Sequence, residues 1–198
     1  GASGHGRVVA DTARLCGYRD IRFLDRNQTK THCAGYAVAG RDTDFRLFVD
    51  DMTDFFAAVG NGFYRRRILE DIWSVGGRTV TLVHPAAVIS EDTVTGTGTV
   101  FMAGTVVNSG ARTGRGVIVN TSASIDHDCV IGDYCHIAAG AHVCGTADIG
   151  EGPWIGAGAV VSNNISICGG CIIGAGAVVV KDITVAGIYI GVPAKRKE

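Results

Sequence analysis

Residues Val83–Val106 read VHPAAV-ISEDTV-TGTGTV-FMAGTV, and the same six-residue register continues without a break to Val178. The first position of each block is apolar in fourteen of sixteen blocks and threonine in the other two, Thr95 and Thr113. The fifth position is small almost throughout. A period of six fits neither an α-helix nor an alternating strand, and it is typical of a solenoid whose short strands turn corners between stacked coils.

Three blocks would complete one triangular coil of eighteen residues, so residues eighteen apart are predicted to stack. Position one then fills the interior, position five fits the corner, and Gly, Asp and Asn form the turns. Thr95 and Thr113 are eighteen apart and should lie over one another. The alternative is a Gly-rich antiparallel β-domain with coincidental spacing, and sixteen blocks without a slip argue against it.

Length and charge exclude few classes of protein but set useful limits. A chain of 198 residues allows one large or two small domains. Its 18 Lys and Arg nearly balance 19 Asp and Glu, so charge favours neither nucleic acid nor an anionic membrane as a partner. No apolar run approaches the roughly 18 residues of a membrane span, and GASGHGRVV is not a signal peptide. We therefore expect a soluble, cytoplasmic protein.

The seven cysteines do not indicate a disulfide framework or a metal site. Cys129, Cys135 and Cys171 occupy position five, where a thiol serves as a small hydrophobic side chain. Cys168 and Cys171 make one CxxC pair, whereas a zinc site needs a second pair. Zinc bound by the histidines of the repeat is a weaker alternative, because no metal-type spacing supports it. We expect reduced, structural cysteines and no metal.

Residues 1–82 follow a different pattern. Apolar spacing and glycine breaks predict a helix over 7–16, strands over 21–24 and 54–59, a helix over 63–75 and a short strand over 79–83, with a loose segment between 26 and 53. These elements make a βαβ unit, so we expect a Rossmann-like α/β domain. A glycine loop like Gly1–Gly6 should follow a strand. We therefore expect that the first strand is missing from this chain, or that the chain is a piece of a longer or fused protein.

The solenoid is assigned to residues 83–180 and a C-terminal segment to residues 181–198. After Val178 the period dissolves, and Ile188–Lys195 predicts a final strand or two with a Gly/Pro turn. Such a segment would cap the open end of the solenoid, which otherwise exposes an unpaired strand edge.

The glycines Gly1, Gly4 and Gly6 match neither the dinucleotide fingerprint nor a Walker loop. One interpretation is a tight strand-to-helix turn without a ligand. The other is a site where backbone amides at the helix start receive an anionic or uracil-bearing ligand.

Three neighbouring features favour the ligand site. Ser3 and His5 would add side-chain donors, and Asp25 ends the next strand where such sheets place a carboxylate for a sugar hydroxyl. The turn at Gly60 ends the following strand at the same edge of the sheet. The run Arg65–Arg67 points in different directions on a helix, so a solvated face is expected for most of its members.

His127 is the strongest candidate for catalysis. It sits at position three of IDHDCV, an outward turn position, between Asp126 and Asp128. An imidazole with a pKa of about 6.5 can take a proton at physiological pH, and a carboxylate keeps it basic and oriented. The alternative is an exposed turn histidine between solubilising acids. Gly145 lies eighteen residues on, so its backbone is predicted about 4.8 Å away, where its N–H would receive an oxyanion.

Five segments together resemble the left-handed β-helix, or hexapeptide-repeat, sugar-nucleotide acetyltransferases. They are GASGHG at residues 1–6, FLD at 23–25, AVGN at 58–61, VNTSASIDHDCVIGDYCHIAAGAHVCG at 119–145 and GVPAK at 191–195. The hexad and GVPAK are shared by many acyl-CoA transferases, whereas GASGHG with NTSASIDHDC is specific to this group. Within the family the chain is most similar to the bacillosamine N-acetyltransferases, with perosamine N-acetyltransferases and sialic acid O-acetyltransferases as relatives.

The resemblance implies a homotrimer with active sites between subunits, a nucleotide-sugar-binding domain at residues 1–82, and acetyl-CoA as co-substrate between neighbouring solenoids. It implies a general base at His127 with Asp128 as its acidic neighbour. For the nucleotide sugar and its acceptor group it implies Ser3, Gly4, His5, Asp25, Arg26, Gly60 and Asn120. For acetyl-CoA it implies His136, Gly145, Ala157 and Ala175.

Register counting agrees with a site between subunits. Ala157 and Ala175 are eighteen apart and are predicted on a different corner from His127 and Gly145. Six residues of strand span roughly 20 Å, so one cofactor that touches both corners must lie along a face or be shared by two prisms.

Three departures from the bacillosamine enzymes bear on substrate identity and on the base. Arg26 follows Asp25 where those enzymes have a second Asp, Gly62 replaces the second Asn of their GNN, and Asp128 stands where they have Glu.

The sequence thus predicts an acetyl-CoA-dependent N-acetyltransferase for the 4-amino group of a nucleotide-linked amino-deoxy sugar. UDP-4-amino-4,6-dideoxy-N-acetylglucosamine is the favoured substrate. The alternatives are O-acetylation of a sialic acid-type sugar, or a non-catalytic scaffold that binds sugar nucleotides.

Overall fold

The computed structural model describes all 198 residues, and its N-terminal part is an α/β unit. Its elements in chain order are α1 (Gly4–Leu15), β1 (Phe23–Leu24), β2 (His32–Cys33), β3 (Tyr36–Gly40), a 3-10 helix (Asp42–Phe48), β4 (Asp54–Phe55), α2 (Gly62–Ser74) and β5 (Arg78–Thr79). Strand β3 pairs parallel with β1 and antiparallel with β2. Strands β4 and β5 pair parallel across α2, which is the predicted βαβ connection.

Three parallel sheets of two-residue strands form the rest of the chain, apart from a longer β23 and the antiparallel β24. Sheet I holds β6 (Leu82–Val83), β9 (Val100–Phe101), β12 (Ile118–Val119), β15 (His136–Ile137), β18 (Trp154–Ile155), β21 (Ile172–Ile173), β23 (Ile188–Ile190) and β24 (Lys195–Arg196). Sheet II holds β7 (Val88–Ile89), β10 (Val106–Val107), β13 (Ser124–Ile125), β16 (His142–Val143), β19 (Val160–Val161) and β22 (Val178–Val179). Sheet III holds β8 (Val94–Thr95), β11 (Arg112–Thr113), β14 (Val130–Ile131), β17 (Asp148–Ile149) and β20 (Ser166–Ile167).

These sheets are the three faces of a left-handed parallel β-helix, called the prism below. The predicted fold class is confirmed. From β6 to β19, each strand pairs with the strand eighteen residues on, and Thr95 lies opposite Thr113 as expected. Position one forms one continuous interior cluster from Phe101 to Val179 together with the small residues of position five. In the first coil, Ile89 and Thr95 are partly buried and Val83 is 40% exposed.

The corners depend on position four. From Gly98 to Gly176, all fourteen consecutive residues at this position have φ between 55° and 82°. Most are glycine, for which left-handed backbone carries no steric penalty, and five are not: Ser122, Asp128, Tyr134, Thr146 and Asn164. The left-handed residue turns the chain from one sheet to the next at the same place in every block.

The C-terminal segment closes the last coil. Strand β23 pairs with β21 in sheet I, and β24 folds back antiparallel on β23. Ile183 also bridges to Ile167 at the end of sheet III. The prediction of a capping strand or two after Val178 is therefore confirmed.

The α/β unit packs on the first coils of sheet I. The outward side chains of Leu82, Val100 and Ile118 are fully buried against Val9 of α1 and Ala58. Farther along the same sheet, Trp154 and Ile172 are 38% and 47% exposed. The unit therefore covers one end of one face, and it leaves the other two faces open.

A cavity of about 520 Å³ lies between the two small sheets of the α/β unit, which do not pair with each other. Residues of β1 and β4 line its walls, together with apolar side chains of both helices and Gly1. The expectation of a missing first strand stays a prediction.

Several element boundaries differ from those predicted. Helix α1 begins at Gly4, not at residue 7, so the last glycines of the first loop already belong to the helix. At Gly6 a Cβ would overlap the carbonyl of Gly1. The predicted strand over 54–59 ends at Phe55. The segment taken as loose contains β2, β3 and the 3-10 helix, which lack a long apolar run. None of the helices is long and apolar enough to cross a membrane.

Truncation of an inward position-one side chain is expected to destabilise the prism. Ile125 is 0% exposed, so Ile125→Ala should lower the free energy of unfolding by about 2–5 kcal/mol in urea denaturation. Val94 points outward and is 54% exposed, so Val94→Ala should change that free energy by less than about 0.5 kcal/mol. Equal effects of the two variants would contradict the inward assignment.

Candidate active site

His127 and Asp128 form a hydrogen-bonded pair on the corner between sheets II and III. Nδ1 of His127 lies 2.9 Å from Oδ2 of Asp128, and the two side chains are 58% and 64% exposed. Asp128 occupies position four with φ 57°, and the local turn sets its carboxylate beside the preceding imidazole. With Nδ1–H donating to the carboxylate, Nε2 is free to accept a proton.

The carboxylate of Asp126 binds the backbone of His127 and lies near its imidazole. Its Oδ1 accepts the N–H of His127 at 2.8 Å and the Nδ2–H of Asn108 at 2.8 Å. The hydrogen bond to Asp128 and the charge of Asp126 raise the pKa of His127 above its ordinary value. The imidazole of His127 is therefore more basic than a free imidazole.

Gly145 stacks against His127, as its sequence position predicts. A Cβ on Gly145 would lie 2.6 Å from Nε2 of His127, so a side chain at position 145 would displace the ring from this place. On the preceding coil, a Cβ on Gly110 would lie 2.5 Å from Oδ1 of Asp128. The N–H of Gly145 donates no backbone hydrogen bond, which leaves it available to an oxygen atom beside the imidazole.

The corner between sheets I and II carries two further positions that were predicted for acetyl-CoA. Ala157 and Ala175 are exposed and lie one coil apart, and Gly176 donates its N–H to the carbonyl of Ala157. Next to them, Gly158 and Gly176 have open space where a Cβ would project. The predicted separation of these alanines from His127 onto a different corner is confirmed.

A pocket of about 410 Å³ lies at the N-terminal end of α1 in the α/β unit. Ser3, Asp25 and Arg26 line it with Lys30 and Tyr64, so the expected convergence of the first loop and the end of β1 is present. Ser3 is the N-cap of α1 and makes no side-chain cap hydrogen bond. Free N–H groups of the first helical turn at such a position are suited to an anion.

Asp25 is engaged by the protein itself. Its Oδ2 accepts the N–H of Ala2 at 2.6 Å, and its Oδ1 accepts the N–H of Asn27 at 2.9 Å. Nζ of Lys30 lies 3.4 Å from Oδ2 and donates to the carbonyl of Ala2 at 2.8 Å. The residue predicted for a sugar hydroxyl thus also holds the first loop in place. Arg26 is exposed, 3.4 Å from Asp42, and lies over the ring of Tyr64.

His136 stands where the α/β unit meets sheet I. Its Nδ1 lies 3.2 Å from the carbonyl of Gly60, and its Nε2 lies 3.2 Å from Nδ2 of Asn120. The rings of Trp154 and His5 lie at centroid distances of 4.3 and 6.2 Å. Four residues predicted separately therefore form one cluster: His5, Gly60, Asn120 and His136.

Both histidines of this cluster are held neutral. Burial, followed by the positive charge of Arg65, lowers the pKa of His5 and of His136 to about 4. Nε2 of His5 is buried and has no hydrogen-bond partner within the chain. A neutral His136 that donates through Nδ1 to a carbonyl must accept through Nε2.

Arg65 is the residue of this region that the sequence did not single out. It is 0% exposed, whereas Arg66 and Arg67 are exposed as expected. Its guanidinium donates to the carbonyls of Val59, Gly60, Gly116, Tyr134 and Cys135 at 2.5–3.1 Å. One signal was present, since Arg65 shares the i, i+4, i+7 face of α2 with buried Leu69 and Ile72.

Gly62 has a structural reason at the same contact. It opens α2, and a Cβ there would lie 2.8 Å from the carbonyl of Tyr134. Asn61 caps the helix by accepting the N–H of Tyr64 at 3.2 Å. The departure from a GNN sequence thus allows α2 to approach the prism.

One chain does not bring all the predicted residues together. His127, Asp128 and Gly145 lie on the corner between sheets II and III, whereas His136 and Asn120 lie on or beside sheet I. No group of three or more His, Cys, Asp or Glu side chains is placed to hold a metal ion.

An α/β unit seated on a hexapeptide-repeat prism is the architecture of the left-handed β-helix acyltransferases. The structure matches the acetyltransferase domain of PglB from Neisseria gonorrhoeae FA1090 with a TM-score of 0.95 and 40% identity, covering 100% of this chain and 97% of that chain. At this identity over the full length, the chain belongs to the family of sugar-nucleotide N-acetyltransferases, as its motifs predicted.

Other comparisons point to the same family. PerB from Caulobacter crescentus, solved with CoA and GDP-perosamine, matches with a TM-score of 0.95 and 33% identity, covering 100% of this chain and 95% of that chain. The PglB domain has also been solved with acetyl coenzyme A. The protein-family model of the PglD N-terminal domain matches residues 1–72 of this chain.

A curated relative matches over part of its length. UDP-N-acetylbacillosamine N-acetyltransferase of Bacillus subtilis (strain 168) is 34% identical over 109 residues, which are 52% of this chain and 49% of that protein. The aligned part thus spans about half of the curated relative.

Acid should destabilise the fold through His136. Its pKa is about 4 in the folded protein and 6.5 ordinarily, so the unfolded chain binds the proton first as the pH falls through this interval. For this 6%-exposed residue the loss approaches about 3 kcal/mol at pH 4. Urea denaturation across this range should show a shallower pH slope for His136→Gln than for wild type. Parallel slopes would show that His136 is not buried in its neutral form.

Proposed function

We propose that the protein is an acetyl-CoA-dependent N-acetyltransferase that acetylates the 4-amino group of a nucleotide-linked amino-deoxy sugar. UDP-4-amino-4,6-dideoxy-N-acetylglucosamine is the first candidate substrate. The observation that carries the proposal is the exposed His127–Asp128 pair with free Nε2, next to the unpaired N–H of Gly145. Family membership, and relatives solved with acetyl-CoA or with CoA and a GDP-linked amino sugar, support the choice of substrates.

The chemistry follows from the free nitrogen of His127. The sugar amine attacks the thioester carbonyl of acetyl-CoA while Nε2 accepts a proton from the amine nitrogen. The carbonyl oxygen becomes an oxyanion, and the N–H of Gly145 is the proposed donor to it. Collapse of the tetrahedral intermediate breaks the carbon–sulfur bond, and the CoA thiolate leaves and takes the proton that the His127 imidazolium holds. Asp128 stabilises the imidazolium formed in between.

The nucleotide sugar is assigned to the pocket at the start of α1. The first-turn amides of α1 and Lys30 would receive phosphate oxygens, with Ser3 beside them and with Arg26 and Tyr64 at the rim. His5, Gly60, Asn120 and His136 lie between this pocket and the exposed part of sheet I. Acetyl-CoA is assigned to the corner of Ala157 and Ala175, whose small residues leave room for a ligand.

A homotrimer completes the proposed site. His127 lies on a different corner from the cluster at His136, so an acceptor held by one subunit would meet His127 of a neighbour. The faces that the α/β unit leaves open carry exposed apolar side chains, including Val88 at 65% and Val130 at 45%. Packing of neighbouring prisms would cover them.

His127→Ala should lower kcat by about 10²-fold or more, because the variant has no group to accept the amine proton. The product of acetyl-CoA with UDP-4-amino and GDP-4-amino sugars would be followed by mass spectrometry, and one acetyl group should be added. The control His32→Ala changes an exposed histidine on β2 and should retain wild-type turnover. Near-normal turnover of His127→Ala would remove the base from the mechanism.

The pH profile gives an independent test of the pair. Activity should fall on the acidic side as His127 becomes protonated, since the imidazolium cannot accept a proton. Asp128→Asn removes the first cause of the raised pKa, so this limb should move to lower pH.

Free sialic acid serves as the competing acceptor: its acetylation in place of the amino sugars would support O-acetyl transfer. Tight sugar-nucleotide binding with no release of CoA would indicate a scaffold.

Solution mass tests the assembly. A particle of three times the 20.6 kDa chain is expected at micromolar concentration by sedimentation equilibrium. A stable monomer that retains full turnover would contradict a site shared between subunits.

A further inference from the structure

The deepest contact between the α/β unit and the prism is a charged side chain with no charged partner. All five N–H groups of the Arg65 guanidinium are used, at 2.6 Å to Gly116, 2.9 Å to Val59, 2.8 Å to Gly60, and 2.5 and 3.1 Å to Tyr134 and Cys135. Every acceptor is a backbone carbonyl. Two belong to the turn before α2, and three belong to corners of the prism that end or begin at sheet I.

Such a contact is poorly explained by stability alone. Burial of a cation is costly, and apolar residues of similar size often stabilise a protein equally well at such positions. What a guanidinium adds is geometry, because its rigid planar fork fixes the direction of each carbonyl that it binds. Lysine, with a single rotatable ammonium group, does not supply five fixed directions.

One of the five carbonyls connects Arg65 to the cluster at sheet I. The carbonyl of Gly60 accepts from Arg65 Nη1 at 2.8 Å and faces Nδ1 of His136 at 3.2 Å. On the other side of the ring, Nε2 lies 3.2 Å from Nδ2 of Asn120, and Oδ1 of Asn120 accepts the N–H of Thr121 at 2.8 Å.

These contacts have only one consistent direction. Gly60 offers a carbonyl, so His136 must carry its proton on Nδ1 and accept through Nε2. Asn120 must then turn its NH₂ to the histidine and its oxygen to the N–H of Thr121. The opposite tautomer would face Asn120 with an N–H, and the flipped amide would place two donors against each other at Thr121.

We propose that Arg65 is a positioning residue: by holding the carbonyl of Gly60 it fixes His136 in the Nδ1–H tautomer and thereby orients Asn120 toward the acceptor amine. The inference rests on the proposed function for the role of Asn120, and on the contacts alone for the tautomer. The other charged or titratable groups that influence this ring are limited to His5, since Trp154 and Asn120 are neutral. The charge of Arg65 also contributes to keeping both imidazoles neutral.

Arg65→Lys distinguishes the effect of the positive charge from that of the hydrogen-bond geometry, because lysine retains the charge and lacks the planar guanidinium. In protein labelled with ¹⁵N-histidine, long-range ¹H–¹⁵N spectra at pH 7 should show His136 as a single Nδ1–H form in wild type. In Arg65→Lys they should show a mixture of tautomers, and kcat should fall by about 10²-fold, as expected for a displaced group at the reacting centre. Arg67→Lys makes the same exchange at an exposed position of α2 and should leave both readouts at wild-type values.

A double-mutant cycle distinguishes positioning from general damage to the fold. Asn120→Ala cuts the hydrogen-bonded series at its far end, so Arg65→Lys should have little further effect on kcat in that background. If the two substitutions lowered kcat by factors that multiply in the double variant, the proposal would be overturned. A folded Arg65→Lys with an unchanged His136 spectrum and kcat within about twofold of wild type would also overturn it.

The spectra remain informative in every case. If Arg65→Lys does not fold, the wild-type spectrum decides: a single Nδ1–H form of His136 supports the proposal, and an Nε2–H form or an imidazolium overturns it. If wild type transfers no acetyl group to an amino sugar, the proposed function fails, while the tautomer of His136 and its dependence on Arg65 still test the positioning.

Discussion

The structure depends on one conformational constraint, the left-handed backbone at position four of each six-residue block. It turns the chain by the same angle at every corner, and it keeps fourteen consecutive turns in register from Gly98 to Gly176. Because the turns are equivalent, residues eighteen apart meet on neighbouring coils, and a side chain at a corner has its surroundings defined by the coils before and after. Asp128 occupies this constrained position, and the same φ that turns the corner sets its carboxylate against His127. The proposed base and its partner are products of the turn itself.

The glycines beside this pair show how the repeat makes room for chemistry. Side chains at positions 110 and 145 would collide with Asp128 and His127 as they stand, so this arrangement of the pair relies on bare backbone on both flanking coils. A solenoid with no inserted loop has no arm to close over a substrate. Its functional groups must therefore lie at corners, on the faces between them, or on the α/β unit. The distribution of the predicted residues over two corners and sheet I is the structural consequence.

The two parts of the molecule are joined by surfaces of different kinds. Apolar packing of Val9 and Ala58 on the first coils provides contact area between the two parts. Arg65 fixes their relative orientation, because it donates to carbonyls of both the α/β unit and the prism. Burial and this charge also keep His5 and His136 neutral, while carboxylates raise the pKa of His127. The pKa values of His5 and His136 are therefore lowered, whereas the pKa of His127 is raised. The neutral set suits hydrogen bonding and orientation, and the basic one suits proton transfer.

The prism, its stacking register, the His127–Gly145 contact and the terminal cap could all be predicted from the sequence, because a strict period leaves one way to close each coil. The sequence also indicated family membership through motifs that span the chain. It missed the short strands and the 3-10 helix between residues 26 and 53, which lack a long apolar run, and it placed the start of α1 three residues late. Three features became apparent only in the folded chain. Arg65 is buried while Arg66 and Arg67 are exposed, and Asp25 holds the first loop. The third is the cluster of His5, Gly60, Asn120 and His136. The physical reason is that a repeat encodes contacts at a constant separation in the chain. The docking of the α/β unit joins residues with no such period, and their contacts depend on the shapes of two surfaces that exist only after each part has folded.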